Sequence, residues 1–251
     1  MVEKCQPGDV ILFDRRCECC ASGPSAAIGC LLGKTFLCEE EDGTRSVENG
    51  SYEHCGIVVP GIISQQQHHS DPTMNLCLLE ATSGSGIVCR PLITRLEMSR
   101  SRSVILLPLS CPGERRYEVD HDDAEIEISE HTKFAKNVTH NELVKFRNKW
   151  LTDSTTQNYA SNHTSLSIMG ALLYRSGLYP TFPIPISPSA WLVVQALQEC
   201  GAAVKLNEKV CQQTKVEDFT RDGRFYEKDT VRLRPGWKFL NPVVMRENSV
   251  S

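Results

Sequence analysis

No apolar run in this chain approaches the roughly 20 residues that a helix needs to cross a bilayer, so no helical membrane span is expected. An excess of charge of one sign is also missing. The 27 Lys and Arg stand against 31 Asp and Glu, for a net charge of -4, which gives no electrostatic reason to expect a nucleic-acid partner or an anionic membrane surface. The opening residues, Met1 to Gly8, lack the basic start and apolar stretch of a secretion signal, so the expected location is cytoplasmic. Internal repeats and low-complexity tracts are absent as well. What is present is an ordinary globular composition, 40 % apolar and 23 % charged over 251 residues. That is long enough to bury a full core as one large domain.

Cysteine is the exception to this ordinariness, with twelve in the chain. Disulfide frameworks belong to small secreted domains, so without an export signal the expectation is free thiols in a reducing compartment. Cys30, Cys77 and Cys89 have apolar neighbours and read as small hydrophobic packing residues. The cluster Cys17-Glu18-Cys19-Cys20 has no second cysteine or histidine pair at zinc-finger spacing, and His68-His69 sit in a polar loop without a ligand-spaced carboxylate or cysteine. No metal and no cofactor are therefore expected.

Pro7-Gly8-Asp9 reads as a turn into an apolar strand, Val10 to Phe13. Further strand-like runs occupy 55–59, 76–80, 86–89 and 103–107, with a weaker one near 231–233. Helical patterns cover 24–33, 141–150, 164–176 and 190–199, the third closed by Gly177 and the last by Cys200-Gly201. Residues 112–132 form an acidic surface excursion and 202–251 a C-terminal extension of the single domain 1–251. With strands mostly in the first half and helices in the second, the fold class is α+β, an antiparallel sheet packed against helices.

Three polar residues stand out against this apolar frame. His54 opens a strand, Glu80 closes the apolar run Leu76-Cys77-Leu78-Leu79, and Ser165 lies in the first turn of the helix that begins at Thr164. Taken singly, each has a structural explanation: a satisfied core histidine, a carboxylate paired within the fold, a helix cap. Taken together, they supply nucleophile, base and orienter, the set that covalent hydrolysis requires. Thr164 is the alternative hydroxyl. Cys55 is a poor nucleophile for His54, because adjacent strand residues point to opposite faces.

The order of these segments resembles one family. Pro7-Gly8-Asp9-Val10-Ile11-Leu12, Tyr52-Glu53-His54-Cys55-Gly56-Ile57-Val58, Leu79-Glu80-Ala81 with Gly86-Ile87-Val88 and Pro91-Leu92, and then Ser165 to Gly177 with Ser187-Pro188-Ser189, are similar to the circularly permuted branch of the NlpC/P60 papain-like hydrolases, the YiiX type. The resemblance covers roughly residues 5 to 200. It implies a permuted papain-like fold, a catalytic His54 with Glu80 as third residue, and a nucleophile at the start of the last of these helices. It further implies a thiol hydrolase working through an acyl-enzyme on a peptide, amide or lipid-acyl substrate. In that family the nucleophile is cysteine, and Ser165 occupies its place here. An introduced Cys→Ser replacement, a pseudoenzyme that serves as a binding module, and a true serine hydrolase all accommodate this departure; acyltransferase or thioesterase chemistry on lipids is a further option within the branch. A serine would need His54 as general base during attack, since it does not ionise as a thiol does.

Overall fold

The computed structural model describes residues 5–15, 52–61, 76–82, 85–114, 129–152, 185–219 and 232–247, with the isolated positions 27, 31, 169, 172, 173 and 176. Its centre is a six-stranded sheet in the order β4-β3-β2-β1-β5-β8, built from β1 (Val10–Asp14), β2 (His54–Pro60), β3 (Leu76–Thr82), β4 (Gly86–Pro91), β5 (Ser103–Leu107) and β8 (Val243–Glu247). Every neighbouring pair is antiparallel. A two-stranded sheet pairs β6 (Leu109–Ser110) with β7 (Lys238–Phe239). Four helices complete the described elements: α1 (Leu92–Glu97), α2 (Glu130–Thr152), α3 (Pro188–Glu199) and α4 (Glu208–Gln212), followed by a 3₁₀ turn at Val216–Phe219. The fold is thus α+β, an antiparallel sheet packed against helices.

Alternation along the strands explains why their sequences are apolar almost throughout. Val10 and Leu12 of β1 and Cys55, Ile57 and Val59 of β2 enter one core, together with residues of α2 and α3. Ile11, Phe13, Val58 and Leu78 enter a second core on the opposite face, with Leu92 of α1. A strand covered on both faces needs apolar side chains at both phases of its two-residue period. The α3 helix is buried all round, from Trp191 to Leu197 apart from Gln195, and it packs over β2 and β3. Its start is set by Pro188, whose fixed φ and missing N–H suit the first helical turn.

Two glycines answer to specific steric demands. Gly8 has φ of 99°, and this turn lets Asp9 accept hydrogen bonds from the backbone N–H of Gln6 at 2.8 Å and of Leu109 at 2.9 Å. The Gly-Asp pair therefore anchors the start of β1 to the segment after β5. Gly56 lies inside β2, where a Cβ would approach Cγ, Cδ1 and Cδ2 of the fully buried Leu78 at 2.9 to 3.1 Å. We expect Gly56→Ala to lower stability by about 1–3 kcal/mol, the usual cost of overpacking. Chemical denaturation checks it, and an unchanged midpoint would show that Leu78 has room to move.

Several boundaries differ from the sequence reading. The helix expected over 141–150 runs from Glu130 to Thr152, so residues 130–132 belong to it and not to an acidic excursion; 115–128 lie outside the described residues. Within the stretch read as a C-terminal extension, the described residues 202–219 and 232–247 contribute to the same fold. Ala202, Ala203, Cys211, Val216 and Phe219 are buried in the main core, and β8 is the sixth strand of the sheet. Of the strand expected near 231–233, residue 231 lies outside the described residues, and Leu233 forms an isolated bridge to Ala203. Glu80 stands inside β3, which continues to Thr82, and does not end it. The expected helices at 24–33 and 164–176 fall largely outside the described residues, as do Cys17, Cys19, Cys20, His68 and His69.

Among the described residues, no helix is long and apolar enough to cross a membrane. Among the described residues, Cys55, Cys77, Cys89, Cys111, Cys200 and Cys211 are free thiols.

Candidate functional site

His54 and Glu80, distant in sequence, meet on the face of the sheet covered by α1. The β2–β3 register sets Gly56 opposite Glu80, which makes His54 a diagonal neighbour of Glu80 on the same face. His54 Nε2 lies 2.8 Å from Glu80 Oε2. An ionised carboxylate can only accept, so Nε2 carries the proton and donates it. Among the described residues no hydrogen bond reaches the other ring nitrogen, Nδ1.

Two arginines complete the cluster, and neither was foreseen from sequence. Arg95 of α1 donates from Nε to Glu80 Oε1 at 2.6 Å and from Nη2 to Oε2 at 3.0 Å, a two-pronged geometry that suits a planar guanidinium. Arg90 of β4 adds a longer bond from Nη1 to Oε1, at 3.3 Å. The register of the β3–β4 hairpin, with Leu78 opposite Arg90 and Glu80 opposite Val88, places Arg90 diagonally beside Glu80. The Arg95 guanidinium also sits 4.4 Å above the Phe13 ring, and Phe13 packs against the imidazole with ring centroids 5.7 Å apart. Nearby, Arg15 donates from Nε to Glu53 Oε1 at 2.6 Å. A signal for Arg90 was present: a carboxylate within an apolar strand needs a cation, and the next strand holds an arginine in the matching phase.

The burial of these groups sets their charge states. The Glu80 side chain is completely buried. Burial alone would raise its pKa, but the bonds and charges of His54 and Arg95 outweigh it and hold the carboxyl down to about 2. For His54 the balance runs the other way. Burial, then the positive charge of Arg15, outweigh the hydrogen bond to Glu80 and lower the imidazole to about 4. At neutral pH the pair is a neutral imidazole on an ionised carboxylate, with the imidazole lone pair at Nδ1.

Cys55 is on the opposite face, in the core under α3 and close to Ser189; burial pushes its thiol up to about 12. It offers His54 no nucleophile. Ser165 and Thr164, the hydroxyls singled out in the sequence, lie outside the described residues. The structure therefore brings two of the three expected site residues together, and adds Arg95 and Arg90. No group of three or more potential metal ligands occurs among the described residues.

In comparisons with known proteins, the chain matches no family model, no curated protein and no solved structure.

Proposed function

We propose that this chain is a hydrolase of the permuted papain-like type, with His54 as general base, Glu80 as the residue that fixes its tautomer, and Ser165 as nucleophile. The observation that carries this reading is the buried, neutral imidazole, tied through Nε2 to Glu80 with its lone pair at Nδ1. A thiolate–imidazolium pair would call for a histidine whose pKa is raised. A hydroxyl needs a neutral base that takes its proton during attack, and His54 is held in that form.

In this mechanism Nδ1 removes the Ser165 proton as the oxygen attacks the carbonyl carbon of an amide or ester. The imidazolium then returns that proton to the leaving amine or alcohol, and the acyl group stays on Ser165. Water, deprotonated by the same nitrogen, releases the acid and restores the serine. Peptides, other amides and lipid-acyl esters are the substrate classes this chemistry suits.

A binding module with a retired cleft is the second reading, and one observation favours it. Both oxygens of Glu80 accept from Arg95, which lessens the negative charge available to stabilise an imidazolium.

Replacing Ser165 by Cys separates the two. For a wired site, we expect the new thiol to react with iodoacetamide faster than any of the twelve native cysteines, and His54→Ala in the same background to slow that reaction. Labelling no faster than those thiols and indifferent to His54 would remove the hydrolase reading and leave the module.

A further inference from the structure

The imidazole of His54 is held from two sides. On β1, Phe13 stands directly opposite it in the register, and the two rings pack with centroids 5.7 Å apart. On β3, Glu80 accepts from its Nε2 at 2.8 Å. One side chain of α1 reaches both of these supports. The edge of the Arg95 guanidinium donates to the two oxygens of Glu80, and its flat face lies 4.4 Å above the Phe13 ring. The Arg95 side chain is largely buried and that of Glu80 completely so, which keeps these contacts away from solvent screening.

Charge alone does not call for this arrangement. Arg90 also pairs with Glu80, at 3.3 Å, and Arg15 brings a further positive charge towards His54 while it bonds Glu53. What Arg95 adds is shape. A guanidinium has parallel N–H donors along one edge and a face that stacks on aromatic rings, whereas an ammonium is a point charge. The helix that carries it is itself anchored. Leu92 at the start of α1 is buried in the core on this face and Leu96 packs against that core. The Met98 N–H closes the end of the helix on the Thr94 carbonyl at 3.0 Å.

We propose that Arg95 is a positioning residue, which acts through Glu80 and Phe13 to hold the His54 imidazole in one orientation and one tautomer. The assignment deepens the hydrolase reading and takes its catalytic sense from it. Glu80, bonded along both oxygens, is kept from rotating away from Nε2, so the proton stays there and the lone pair stays at Nδ1. Phe13, covered by the guanidinium, closes the other side of the ring against tilting. Arg95 also opposes protonation of the base. Burial is the main cause of the lowered imidazole, the charge of Arg15 comes next, and Arg95 acts in the same sense against Glu80. A base kept neutral can take a proton from a hydroxyl, and an imidazolium cannot.

The test is NMR spectroscopy of the full chain, isotope-labelled at the histidine nitrogens, with the His54 signals assigned by their loss in His54→Gln. In the wild type we expect a single tautomer, protonated on Nε2. Arg95→Gln removes the charge and one prong of the clamp, and should raise the titration midpoint of His54 by about one pH unit or more. Arg95→Lys keeps the charge but loses the plane. There His54 should still titrate low, while its Nε2 proton exchanges with water at least about tenfold faster than in the wild type, because Glu80 is less firmly held. The lysine variant decides the matter by itself if the glutamine variant does not fold. An Arg95→Gln chain in which His54 titrates as in the wild type would overturn the proposal, and so would wild-type exchange in Arg95→Lys. Neither measurement involves Ser165, so a failure of the Ser165→Cys labelling with both of these effects in place falls on the hydrolase reading alone.

Discussion

Replacing Glu80 by Gln is expected to cost about 3–5 kcal/mol of folding stability, the range associated with removing one member of a buried ion pair. Glu80 is completely buried and holds Arg95, whose side chain is only 12 % exposed, together with His54. Glutamine keeps the shape but has one acceptor oxygen, and its amide hydrogens would face a guanidinium. Arg95 would be left buried without its counter-charge. Arg90 is 40 % exposed, so its share is screened by solvent and small. Urea denaturation at neutral pH measures the loss. Arg95→Met should also destabilise, and the double variant should lose clearly less than the two single losses added together, because the unpaired charge is then gone. A loss under about 1 kcal/mol in Glu80→Gln would show that the carboxylate is not holding this face of the sheet together.

Mild acid should weaken the fold through His54. Its imidazole is lowered from 6.5 to about 4 in the folded chain, so between these values the unfolded chain binds a proton that the folded one refuses. The contribution is complete above pH 6.5 and is lost as pH falls towards 4, amounting to about 3 kcal/mol. Glu80, lowered from 4.5 to about 2, adds a second loss that begins only below pH 4.5. Denaturation curves at neutral pH and at several points down to 4 separate the two windows. His54→Gln, which retains a donor for Glu80 but does not titrate, should flatten the upper one. A wild-type stability unchanged across that upper window would contradict the neutral, buried imidazole.

Much of the sheet could be read directly from the chain, because a strand covered on both faces writes its position as an uninterrupted β-branched and aliphatic run. Val10 to Phe13 and Cys55 to Val59 are of this kind. The parts that could not be read depend on partners remote in sequence. β8 is a short segment after Asn241-Pro242 whose pairing with β5 leaves no local mark. The first three turns of α2 carry Lys133, Lys136 and Asn137, and an exposed Phe134, in place of a clean apolar stripe. The pairing of His54 with Glu80 follows from chemistry once both are placed on neighbouring strands. The role of Arg95 follows only from the turn that carries α1 back over that face, and nothing in its own surroundings in sequence signals a partner. Ser165, read from the sequence as the nucleophile, and its alternative Thr164 lie outside the described residues.

The sheet order has a bearing on how this protein comes into being. β5 ends at Leu107, yet the strand that covers its outer edge begins only at Val243. During synthesis β5 therefore emerges long before its neighbour exists, and its free backbone N–H and C=O groups present an open template for pairing with another nascent chain. Closing that edge needs a contact between segments far apart along the chain, which slows folding because loop closure precedes its reward. β8, the last strand among the described residues, thus acts as a cover over this border of the sheet, and a ribosome stalled before Val243 would release a chain with that border uncovered.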